Sequence, residues 1–218
     1  LTGFGGSSEA VDGDYTISRQ TERLALFLSE LGVDSFHLGG NSMGGYLAGM
    51  YAHKYAEQVS SLLLFAPAEV KAAQPGELEQ LLAAGKPNPL VVRNVDDYER
   101  LLNFVFTGRP FIPGSIKEVL VAESIAYQDL HDAIYEQLLQ DDSTPALESL
   151  LSEFTAPVAI LWGENDRVLH VSGADVLAGA IPNSQVYILK KTGHLPMLEK
   201  PEQSATYYLE FLKSRAAH

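Results

Sequence analysis

The chain of 218 residues is 46% hydrophobic and 20% charged, which suits one globular domain with a sizeable core and room for a small inserted subdomain, and argues against long disorder. A formal net charge of −13 with only 15 Lys and Arg disfavours nucleic acid as a partner, because phosphate binding needs clustered cations. The lack of cysteine removes disulfides, thiolate catalysis and cysteine-based zinc sites and fits a cytoplasmic protein, and no apolar run approaches the ~20 residues that span a bilayer.

After a glycine-rich opening, Thr16 is a suitable N-cap for a helix reaching about Leu31, with Leu24, Phe27, Leu28 and Leu31 on one face and Gly32 ending it. Residues 34–39 read as a short buried strand. A helix-compatible run follows from Met43 to Tyr55, and residues 59–67 form a second strand, apolar on both faces as parallel strands between helices are. The order helix, strand, helix, strand signals a parallel α/β sheet. From about Glu69 the character changes. Residues 72–94 carry several prolines and glycines, and residues 97–106 and 115–140 are amphipathic and helical in pattern, so the segment is expected to be a helical cap inserted over one edge of the sheet. Strand character returns at residues 157–162 and 185–189, separated by a helix near 172–180. A closing helix at 202–214 is expected to stack Tyr208, Leu209 and Leu212 on the core. The division expected is core at 1–68, cap at 69–147 and core again at 148–218.

The chemistry is concentrated where the first strand ends. Gly40-Asn41-Ser42-Met43-Gly44 fits a strand, sharp turn and helix in which glycines allow close packing and the serine is pushed into a strained, exposed conformation. Ser42 then stands at a helix N-terminus, where unpaired N–H groups and the helix dipole stabilise charge developing on a substrate oxygen. The plainer reading is a glycine-rich turn and no more. A serine hydroxyl needs a base, and that base needs a carboxylate to fix its tautomer. The strand ending at Leu161 is followed by Trp162-Gly163-Glu164-Asn165-Asp166, and the one ending near Leu189 by Thr192-Gly193-His194. In open parallel sheets such groups gather at the carboxyl ends of strands, and the order Ser, Asp, His suits Ser42, Asp166 and His194. Glu69, after the second strand, is the substitute acid, ahead of Asp175 and Glu164. His37 falls within a strand and reads as a packed core histidine, while His53, His131 and His218 follow no strand. His170 can line the pocket mouth or lie on the surface, and Trp162 can simply plug the core. In the cap, Leu101, Leu102, Phe104, Val105 and Phe106 can line an acyl channel or be ordinary packing.

Together, Gly40 to Gly45, Trp162 to Asp166 and Gly193-His194 resemble the α/β-hydrolase fold family over nearly the whole chain. The stretch from Asp166 to Asp175, with Phe36-His37-Leu38, is most similar to the monoacylglycerol lipase type and its bacterial esterase and lipase relatives. The resemblance implies hydrolysis of small-molecule, lipid-like carboxylic esters under a helical cap without a cofactor or metal. It implies Ser42 as nucleophile, His194 as general base and acid, Asp166 as orienting carboxylate and the Met43 backbone N–H as one oxyanion donor. It further implies that strands and a His-Gly loop precede Gly3-Phe4-Gly5 and supply the second donor. The chain is accordingly expected to be the C-terminal part of a longer protein, with the strand at 34–39 left as a bare apolar edge and the fragment alone inactive. Membrane association is left open. Gly-Asn-Ser-Met-Gly-Gly also occurs in hydrolases that cleave carbon–carbon bonds of dienoic diketone acids, which would need a carboxylate grip, for which Arg93, Arg100 and Arg109 are candidates. A non-catalytic binding protein on the same scaffold is the third reading.

Overall fold

The computed structural model describes residues 1–141 and 144–216; His218 lies outside them. In chain order the elements are α1 (Ile17–Glu30), β1 (Phe36–Ser42), α2 (Met43–Lys54), β2 (Val59–Pro67), α3 (Glu77–Ala83), α4 (Val95–Val105), α5 (Gly114–Ala126), α6 (Gln128–Gln140), α7 (Leu147–Leu150), β3 (Val158–Gly163), α8 (Gly173–Ala180), β4 (Ser184–Leu189), α9 (Pro196–Glu199) and α10 (Pro201–Ala216). The four strands pair in the order β1-β2-β3-β4, every pair parallel, so all four carboxyl ends lie along one edge.

Local chemistry explains several boundaries. The Thr16 hydroxyl caps α1 by accepting from the Arg19 N–H, and Asn94 caps α4 by accepting from Asp97, each satisfying a donor the first helical turn leaves free. The helical run at 115–140 is two helices rather than one. Tyr127, at φ −101° and ψ 10°, ends α5 and begins α6.

Alternation along the strands divides the core between two faces. Leu62, Leu64, Ile160 and Trp162 pack with α1, α2, α7 and α8, whereas Leu63, Ala159, Leu161 and Leu189 pack around Phe211 of α10. Helices therefore cover both faces of the central strands, the condition under which parallel strands are apolar throughout. At β1 the cover is incomplete. Among the described residues its outer edge has no strand partner, and His37 is exposed, bonded through Nδ1 to the Ser61 hydroxyl at 2.7 Å. His37 is thus a hydrogen-bonded surface histidine and not a core one, because α10 reaches over the later strands and leaves that side of β1 open.

Two apolar stripes are also narrower than expected. Leu24 and Leu28 pack against the core, but Phe27 and Leu31 stay exposed. On α10 the inward residues are Tyr207, Tyr208, Phe211 and Leu212, and Leu209 faces out. The helices between β2 and β3 carry a cluster of their own, in which Leu102, Phe104, Val105 and Phe106 pack with Val92, Tyr98, Val121 and Val168. Leu102, Phe104 and Val105 of α4 are packing residues. Among the described residues no helix is long and apolar enough to cross a membrane.

Phe211 is fully buried and is the main apolar anchor of α10 on the sheet. Phe211→Ala should lower the unfolding free energy by about 3–5 kcal/mol, read from denaturant midpoints at an unchanged m-value.

Candidate active site

Ser42 is the last residue of β1 and precedes the first residue of α2, with φ 53° and ψ −121°. Positive φ in a residue with a Cβ is strained and persists only where the surroundings enforce it. They do so here. A Cβ on Gly40 would collide with the Gly44 carbonyl, and one on Gly45 would press on Pro67, so strand and helix meet at a separation that only glycine permits. On the other side, the Ala68 N–H donates to the Ser42 carbonyl at 2.9 Å. Met43 opens α2, and its N–H belongs to the turn whose donors lack intrahelical partners.

Asp166 lies in the loop after β3, and its side chain is fully buried. Its Oδ1 accepts from the backbone N–H groups of Val168 at 2.8 Å and Leu169 at 3.0 Å, which fixes the carboxylate plane. The other oxygen, Oδ2, lies 2.8 Å from Nδ1 of His194, itself 5% exposed. A carboxylate only accepts, so Nδ1 carries the proton and Nε2 presents a lone pair. Asn41 joins this histidine loop to the serine turn, its Nδ2 donating to the Phe65 carbonyl at 3.0 Å and the His194 carbonyl at 3.2 Å. The amide of Asn41 is thus a strut from the end of β1 to β2 and to the loop after β4.

Glu69, the substitute acid, has another setting. It follows β2 at φ 56° and lines a cleft of about 650 Å³ with Leu78, Leu82, Trp162, Val168 and His170. Glu69 is an exposed residue, but partial desolvation of its carboxyl against the cleft wall raises it above the ordinary value. The structure gives the histidine to Asp166. Pro67, in the same cleft wall, is the register partner of Ser42, so the cleft opens on the edge that carries the serine. His170 is half-buried and shares a second cleft with Phe106, Asp166 and Arg167. Trp162 is buried at 1% exposure, its indole N–H donating to the Leu169 carbonyl at 3.0 Å.

The three cap arginines are engaged elsewhere. Arg93 pairs with Asp132 at 3.1 Å, Arg100 with Asp97 at 2.8 Å and Arg109 with Glu99 at 2.8 Å. Arg167, not singled out from the sequence, grips Glu77 of α3 through two bonds of 2.7 Å and lies over the Phe104 ring at 4.5 Å. Its neighbour Asp166 is thereby tied to the helical insert. No spacing signal marks a pair so far apart in the chain.

A parallel sheet flanked by helices, with a strained serine at the end of β1 and a buried Asp–His pair after β3 and β4, has the arrangement of an α/β hydrolase. The chain belongs to the alpha/beta hydrolase fold family, whose profile matches residues 1–201. It is 33% identical to Lipase 1 of Psychrobacter immobilis over 97% of this chain and 66% of that protein, and 32% identical to the Homo sapiens monoacylglycerol lipase ABHD6 over 98% of this chain and 66% of that protein. The chain thus spans about two thirds of the length of these curated relatives. Among solved structures it superposes on a membrane phospholipase A, described as a bacterial virulence factor, with a TM-score of 0.93 and 41% identity, covering 98% of this chain and 68% of that one.

The setting of Glu69 makes stability depend on pH. With its carboxyl raised by partial desolvation, the folded chain holds this proton more tightly than the unfolded chain. The stability this lends is complete below the unfolded value and is lost as pH rises through the raised folded value. Glu69→Gln should therefore melt close to wild type at about pH 4 and above it at about pH 7.5, measured by calorimetry; a difference independent of pH would contradict this origin.

Proposed function

We propose that the protein is a serine hydrolase of lipid-like carboxylic esters acting through an acyl-enzyme. The observation that carries this reading is the buried His194–Asp166 bond at 2.8 Å on a loop that Asn41 ties to the Ser42 turn. In this scheme His194 Nε2 takes the Ser42 proton as the hydroxyl attacks the ester carbonyl, and the Met43 N–H donates to the oxyanion. His194 then returns the proton to the leaving alcohol. Water, activated by the same imidazole, attacks the acyl-enzyme and releases the acid. Asp166 holds the imidazole with Nδ1 protonated and stabilises its charged form without taking the proton. No step needs a metal or cofactor. The segment at 69–147 serves as the cap, and the apolar cleft beside Glu69 suits an acyl chain. The similarity to proteins named lipase, monoacylglycerol lipase and phospholipase A supports the ester class.

The carbon–carbon reading is weaker in this chain, since it wants a free cation over the serine and Arg93, Arg100 and Arg109 each face a carboxylate. A pure binding role gives no reason to hold a histidine in one tautomer against a buried carboxylate.

Ser42→Ala should abolish turnover of p-nitrophenyl esters with the fold intact by circular dichroism, and near-wild-type activity in that variant would overturn the assignment. Asp166→Asn should slow turnover by up to about 10⁴-fold by imposing the wrong tautomer, whereas Glu69→Gln should leave the rate near wild type. The reverse pattern would move the acid to Glu69. A series of esters of increasing acyl length, run beside one dienoic diketone acid, separates the substrate classes.

A further inference from the structure

Glu199 ends the short helix α9 and was not singled out from the sequence. Its carboxylate gathers three backbone donors from two segments, one nearby in sequence and one far from it. Oε2 accepts from the Gly193 N–H at 2.9 Å and the Thr107 N–H at 3.1 Å, and Oε1 accepts from the Gly108 N–H at 2.8 Å. Gly193 immediately precedes His194, while Thr107 and Gly108 leave the end of α4 in the helical insert. Among the described residues no salt bridge involves Glu199, and the protein groups that face its carboxylate are backbone amides.

The two segments it joins are also in direct contact. The His194 N–H donates to the Val105 carbonyl at 2.8 Å, and a side chain on Gly193 would collide with that carbonyl and crowd the Thr107 nitrogen. The histidine loop is thus held by Asn41 from the serine side, by Asp166 through its imidazole, and by Glu199 together with Val105 from the insert. Removing Glu199 leaves three N–H groups facing one another across this junction. Among the described residues the His194–Val105 bond is then the one main-chain tie between the histidine loop and the insert.

From this convergence we infer that Glu199 is a positioning residue, which sets the placement of His194 relative to Ser42 by locking the histidine loop to the start of the segment after α4. The inference rests on the proposed roles of Ser42 and His194. It makes the seating of the helical insert a determinant of proton transfer as well as of pocket shape. A carboxylate is required because the donors need an acceptor at each oxygen. In glutamine, one oxygen is replaced by an NH₂ group that would face a backbone N–H, donor against donor.

The test measures steady-state ester hydrolysis and the rate of Ser42 labelling by a fluorophosphonate in the full chain, for wild type, Glu199→Gln and Glu199→Ala. Displacing a reacting group by about 1 Å can cost up to about 10²-fold, so kcat should fall in the order wild type, Gln, Ala, reaching roughly 10- to 100-fold in Ala. KM should stay within about twofold, and labelling should slow by the same factor as kcat. A role confined to shaping the pocket would instead raise KM with kcat and labelling unchanged, and that result overturns the inference, as does wild-type kcat in both variants. If Glu199→Ala does not fold, the near-isosteric Glu199→Gln decides by the same criteria. A wild type that neither hydrolyses esters nor labels at Ser42 would refute the hydrolase reading itself, an outcome distinct from failure of the Glu199 inference.

Discussion

The structure depends on backbone approaching backbone with no side chain between. At the serine turn the Gly44 carbonyl occupies the space a Cβ on residue 40 would need, and at the histidine loop the Val105 carbonyl does the same for residue 193. These contacts bring Ser42 into its positive-φ conformation and set His194 against the end of α4. They also explain why polar main-chain groups, rather than large apolar side chains, connect the parts of the site. Once the chain is this close, hydrogen bonds such as those of Asn41 and Glu199 can span from loop to loop. A single methyl group would open the gap and disconnect them.

The sheet contributes direction. Four parallel strands end on one edge, so groups far apart in sequence arrive together without any one loop having to be long. Burial then sorts them chemically. Asp166 is buried and receives two amide donors and the imidazole, whereas Glu69 is an exposed residue of the cleft wall whose carboxyl, partly desolvated near Trp162 and leucines, is pushed up. Two carboxylates at neighbouring strand ends thus acquire different character from their surroundings alone.

The helical insert is joined to this edge by polar ties as well as by its own apolar cluster. Arg167 to Glu77 links α3 to the loop bearing Asp166, and Glu199 links the end of α4 to the loop bearing His194. The exposed Arg167–Glu77 pair contributes little energy by itself, but its two parallel bonds fix orientation. Movement of the insert would therefore be felt first at the two loops that carry Asp166 and His194.

Much of this was legible in the residues. The apolar runs, the cap at Thr16, the Gly-Asn-Ser-Met-Gly turn and the order Ser, Asp, His are local patterns, and local patterns follow from backbone sterics and hydrogen-bond valence that do not depend on the rest of the chain. What periodicity could not decide was cover. An apolar stripe says that a face can be buried, not that a neighbour arrives to bury it, so Phe27, Leu31 and Leu209 stayed exposed while Phe211 took the core position, and His37 emerged on an open side of β1. Sequence ranked Asp166 ahead of Glu69 from its place after a strand, but the bond to His194 that supports this ranking, and the matching of the three arginines by Asp132, Asp97 and Glu99, appear only in the fold. Partner choice among charged groups is settled by distances of a few ångströms between segments remote in the chain, and only the folded structure sets those distances.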